Sequence, residues 1–133
     1  MAKMIFLNLP VADLGTSTRF YEAIGCRKNE AFSDANASSM VWSDEIVFHL
    51  LKHDYFSTFT SKPIGDSRKN ASMLVALSCD QREDVDRIVE AAAANGGKAD
   101  PSEPKDHGFM YVRTFEDPDG NIFEPLWFNP QAT

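Results

Sequence analysis

The chain has 2 cysteines in 133 residues, Cys26 and Cys79, and no CxxC spacing between them. That excludes a disulfide scaffold and a thiolate zinc cluster, and the expected compartment is the reducing cytoplasm. No cluster of lysine or arginine is present and the formal charge is −7. Neither a nucleic-acid backbone nor an anionic membrane surface would find a cationic patch to hold. No apolar run approaches the ~20 residues of a membrane-spanning helix. Met1-Ala2-Lys3-Met4-Ile5-Phe6 enters an apolar run directly, without the long core or small-residue cleavage site of a signal peptide. Neither GxxxxGK[ST] nor GxGxxG occurs, and Pro101 and Pro104 follow Gly96-Gly97 where a phosphate loop needs a helix. A nucleophile elbow with a Ser-His-Asp order is lacking as well.

What the chain does have is a core. Hydrophobic residues make up 43% and aromatic residues 11%, enough for one domain of this length to bury roughly two-thirds of its unfolded surface. The most informative segment is Asp117-Pro118-Asp119-Gly120-Asn121, a tight turn in which Pro118 presets φ and Gly120 takes a left-handed position. Apolar runs on both sides, Phe109 to Phe115 and Ile122 to Phe128, predict a β-hairpin. Glu124 sits within the second run, where a carboxylate is costly unless it is paired, protonated or bound to a cation.

The chain reads as one pattern written twice. Lys3 to Leu9 is a short strand that stops at Pro10; Asp13 then caps a helix marked by Leu14, Ser17, Phe20, Tyr21 and Ile24 and ended by Gly25. Strands are expected over Cys26 to Ser33, Ser38 to Ser43 and Glu45 to Leu51. The second half begins with a strand from Ser72 to Cys79, and Asp80 stands where Asp13 stood. A helix from about Gln81 to Asn95 follows, then a short strand at Lys98 to Asp100, a Pro-rich loop and the hairpin. Two copies are too few for a solenoid. The expected fold is therefore α+β: one domain over residues 1–133, built from βαβββ modules at 1–52 and 72–128 joined by a loop at 53–71. Neither module can close its own sheet, so the two are expected to curl around a shared cleft. In the loop, Tyr55 reads as part of a lid and Phe59 as a ring tucked into the core.

These residues resemble a known family. Asn8-Leu9-Pro10-Val11-Ala12-Asp13-Leu14, running on to Phe20-Tyr21 and Gly25, is similar to the opening of vicinal oxygen chelate proteins. Asp117-Pro118-Asp119-Gly120-Asn121 followed by Glu124 is similar to their ending. This superfamily includes glyoxalase I, fosfomycin and bleomycin resistance proteins and extradiol dioxygenases. The resemblance implies a homodimer and up to four metal ligands, from the first, fourth, fifth and eighth strands. Those positions fall on Phe6, His49, Leu74 and Glu124, and phenylalanine and leucine cannot coordinate a cation. His107, near the start of the hairpin, is the remaining candidate to join His49 and Glu124 at one mouth of the cavity.

Two classes of function stand open. The resemblance implies a metal-assisted lyase, isomerase or dioxygenase, with a divalent Zn, Ni, Mn or Fe on Glu124 and His49 and with Glu124, His49 or His107 moving a proton. Without a metal, a carboxylate in an apolar cavity is also suited to act as a base. The alternative is a non-catalytic binder of a drug or metabolite that needs no metal. Tyr111, Arg113, Phe6, Trp42 and Tyr55 are the candidate ligand contacts. Plainer readings stand beside these: Glu124 paired with Arg113 or His49, His49 as a hydrogen-bonded strand histidine, His107 as a surface loop residue, Trp42 as core or dimer packing.

Overall fold

The computed structural model describes residues 2–131. The chain divides into two compact units, residues 1–65 and 66–133. In the first, β1 (Ile5–Val11), β2 (Arg27–Lys28), β3 (Ala37–Val41) and β4 (Ile46–Lys52) form a sheet in the order β1-β4-β3-β2, with β1 parallel to β4. Helix α1 (Leu14–Ala23) packs on one face of it. Asp13 caps α1 by accepting from the Thr16 N–H at 2.9 Å, and Gly25 follows it at φ 123°, ending the helix as its sequence predicts. Phe20 and Tyr21 of the helix, with Met40, Phe48 and Leu50 of the sheet, are fully buried between them.

The second unit repeats the plan. β5 (Leu74–Ser78) lies parallel to β10 (Ile122–Phe128), as β1 lies to β4. β10 is flanked on its other side by β8 (Met110–Val112) and β9 (Phe115–Glu116), which pair in turn with β7 (Lys105–Asp106) and β6 (Lys98–Ala99). Helix α3 (Arg82–Ala94) buries Val85, Ile88, Val89 and Ala92, and Phe115 stacks on Phe123 at 5.1 Å in the core. The fold is α+β with two βαβββ modules, as expected from the sequence.

Several boundaries differ from expectation, each for a local reason. β1 runs through Pro10 to Val11 because it is an edge strand, where a missing N–H costs no ladder bond. The strand expected over Cys26 to Ser33 shrinks to two residues. Asn29 Oδ1 accepts from the Ala31 N–H at 3.1 Å and turns the chain into a 3-10 helix at Glu30–Phe32. The cap of α3 is Gln81, not Asp80, in a reciprocal box with Asp84. The run from Phe109 to Phe115 is broken between β8 and β9 opposite Pro125. There the Arg113 N–H donates to the Pro125 carbonyl at 3.3 Å and proline has no N–H to return. The segment between the modules contains a short helix, α2 (His53–Phe56), and the Pro-rich loop contributes the unanticipated β7.

The turn at Pro118–Gly120 is as the sequence predicts. Asp117 is buried and accepts from the N–H groups of Asp119 and Asn121 at 3.0 and 2.8 Å and from Asn121 Nδ2 at 2.9 Å. Gly120 has φ 93°, and a Cβ there would come within 2.8 Å of the Arg68 backbone. Glycine is required on both counts.

Candidate functional site

Strand alternation sorts each sheet into a helix-facing side and a far side. In the first unit the far side carries Phe6, Asn8, Val47, His49, Ser39, Val41 and Arg27, since register aligns these positions across the strands. This face lines a cleft of about 440 Å³. Its floor is apolar, with Phe6 and Phe32 at 51% and 74% exposure. His49 lies within it, its ring 5.3 Å from that of Phe6. Nδ1 of His49 is 3.2 Å from Asn8 Oδ1. With that oxygen as acceptor, Nδ1 carries the proton and Nε2 keeps its lone pair. Burial holds the imidazole pKa below its ordinary value, so the neutral ring is favoured.

A larger depression of about 590 Å³ lies near the start of α1. Asp13, Asp34, Arg19, Lys28 and Lys52 line it. Charges of both signs facing water give a ligand little apolar surface to bury, so the far-side cleft is the better candidate.

In the second unit Glu124 is half-buried on the side of the sheet away from α3, beside Ala76 in register. It has no hydrogen-bond or ion-pair partner among the described residues. Leu74 shares that side, in register with Ile122, and is 55% exposed. Tyr111 and Arg113 instead face α3. The Tyr111 hydroxyl donates to Asp86 at 2.7 Å, and Arg113 donates to Asp86 at 2.7 Å and to Asp100 at 3.1 and 2.7 Å. Hydrogen bonds from Tyr111 and Arg113 hold the Asp86 carboxyl below the usual range, and the pairing with Asp100 raises the Arg113 pKa. Arg82 lies 4.1 Å over the Tyr111 ring and pairs with Asp106. Arg113 therefore does not pair with Glu124, and neither Tyr111 nor Arg113 shares its face.

The other sequence candidates separate similarly. His107 stands in the β7–β8 turn, stacked on Phe109. Met110 pairs with Phe128, so that turn lies beyond the end of β10, about 13 Å along the strand from Glu124. Trp42 lies near Gly25, its ring 3.6 Å from where a Cβ there would stand. Tyr55 is on α2 with its ring edge-on to exposed Phe59, which is not tucked into the core. Cys26 is buried and its thiol is pushed up to about 12, which leaves it unreactive.

A family model of the Glyoxalase/Bleomycin resistance protein/Dioxygenase superfamily matches residues 3–124. The chain belongs to this superfamily. Among solved structures, a hypothetical protein of S. aureus matches with a TM-score of 0.78 and 24% identity, over 96% of this chain and 94% of that one. A glyoxalase/bleomycin resistance protein/dioxygenase family enzyme of Burkholderia phytofirmans matches with 0.77 and 19%, over 96% and 99%. The fosfomycin resistance protein FosX of Mesorhizobium loti matches with 0.69 and 17%, over 98% and 96%. At these identities the likeness is one of fold. No curated protein sequence matches the chain.

Members of the superfamily commonly use a divalent metal. A catalytic zinc usually has three protein ligands. His49 has an amide and a phenyl ring as neighbours, and Glu124 has alanine and leucine on its side of the β5 strand. Among the described residues no three His, Cys, Asp or Glu side chains are grouped to hold a metal ion. Within one chain the described donors do not complete a three-ligand centre. Among the described residues no helix is long and apolar enough to cross a membrane.

Of the residues singled out from sequence, Phe6 and His49 line this cleft; Arg27, Asn29 and Ser39, not singled out, line it too, and Asn8 shares the face. Alternation carried a signal for Asn8, two residues after Phe6. Arg27 was hidden because Cys26 to Ser33 reads as one strand, and only pairing fixes which side of it faces the cleft.

Proposed function

We propose that this superfamily member binds a small molecule on the far face of its first sheet. The observation that carries this reading is the cleft of about 440 Å³ in which exposed Phe6 and Phe32 lie with His49, its Nδ1 3.2 Å from Asn8 Oδ1. Apolar floor with a few placed polar groups is the usual composition of a ligand site. The Nε2 lone pair can accept a proton or hydrogen bond from what binds there. Residues 1–133 make one domain of a cytoplasmic homodimer. Exposed Phe128, Leu74 and Met73 support the dimer by offering apolar surface for an interface, and two free cysteines support the compartment.

The test is an amide NMR titration of the full chain with a mixture of small aromatic and aliphatic compounds. Shifts are expected at residues 4–8, 27–32 and 39–49, which line the cleft. Shifts confined to other segments would remove the cleft as the site. Light scattering should return twice the chain mass of 14.8 kDa.

A second reading, a metal-assisted lyase, isomerase or dioxygenase, is favoured by one observation: Glu124 is half-buried without a partner among the described residues. Stoichiometric Zn, Ni, Mn or Fe in protein purified without an affinity tag would support it.

A further inference from the structure

The far-side cleft of the first sheet is graded. Register places Phe6, Val47, Val41 and Arg27 in one row across all four strands. Asn8, His49 and Ser39 form the next row, continued by Asn29, whose N–H donates to the Ser39 carbonyl at 2.8 Å. The rows lie about 7 Å apart along the strands. One is apolar and ends in a cation; the other is polar throughout.

Arg27 lines the cleft, and its side chain has no hydrogen bond or ion pair among the described residues. Asn29 lines it too, and its Oδ1 already accepts from the Ala31 N–H. The free half of that amide is therefore its Nδ2, a donor. A guanidinium fork and an amide N–H at one edge of an apolar floor match a carboxylate and the flat body attached to it. The chain's charge of −7 works against anions in general, so an acid would depend on this local pair. Asp44, exposed in the β3–β4 turn, is the acidic side chain on the cleft wall and offers no donor.

We propose that the ligand of this face is a small carboxylic acid with a flat apolar body, its carboxylate held by Arg27 and Asn29 and its body over Phe6, Val47 and Val41. This rests on the reading that the face is the binding site. The experiment is an amide NMR titration of the full chain with 3-phenylpropionate, its neutral amide 3-phenylpropanamide and the amine 3-phenylpropylamine. The acid is expected to bind about tenfold tighter than the amide. Arg27→Gln should erase that advantage by weakening the acid far more than the amide, and Arg27→Lys should keep part of it. Equal binding of acid and amide, or an acid preference that survives Arg27→Gln, overturns the proposal while shifts at 4–8, 27–32 and 39–49 leave the site in place. Preference for the amine overturns it in favour of Asp44. If none of the three moves these amides, the proposal and the site reading fall together.

Discussion

Arg113 and Arg27 stand on sheets built to one plan, yet their surroundings differ. Arg113 is 15% exposed and held by two carboxylates on the α3 side of the second sheet. Arg27 stands exposed on the far side of the first, with no partner among the described residues. The same side chain is structural where acids from a helix and a loop converge on it, and available to a ligand where none do. The second unit spends its polar groups on itself: Arg113, Tyr111 and Arg82 all end on carboxylates. The first leaves a cation, an amide and an imidazole lone pair around an apolar floor.

The largest effect expected is at the Asp117 turn of the second unit. Gly120→Ala combines a left-handed φ with a backbone collision and should cost about 2–4 kcal/mol in urea unfolding. A mild loss would mean that Arg68 moves aside.

Next comes the direct comparison of the arginines. Arg113→Met strands Asp86 and Asp100, and with Asp86 half-exposed the cost should be about 2 kcal/mol. Arg27→Met should change stability by no more than ~0.5 kcal/mol. Equal losses would end the distinction between a structural and an available arginine.

A smaller effect concerns pH. The His49 pKa is lowered in the folded protein, so below about pH 6.5 the unfolded chain takes up the proton first. Stability should therefore fall as pH drops from that value toward the lowered one, and then level. His49→Asn should flatten this limb in unfolding measured across pH 5–7.

The smallest effect is expected at Glu124. Half-buried and without a partner among the described residues, it should tolerate Glu124→Gln within ~0.5 kcal/mol. A loss of several kcal/mol would show that its charge balances a cation, as the metal-assisted reading requires.

Much was legible in the sequence because its signals are local. The Asp13 cap, the Gly25 stop, the Asp117–Asn121 turn and the doubled strand-helix order depend on residues within a few positions of each other. The alternation that puts Phe6 and His49 on strands is local as well. What the tertiary structure alone decided is which side of each sheet a residue faces and which distant groups meet it. Register between β8 and β10 turned Tyr111 and Arg113 toward α3, away from Glu124, although all three lie in one predicted hairpin. Register between β2 and β3 set Arg27 at the end of the Phe6 row. A shift of one residue in either pairing exchanges the two faces, and no property of a single strand fixes that choice; it is made by the helix each sheet must cover.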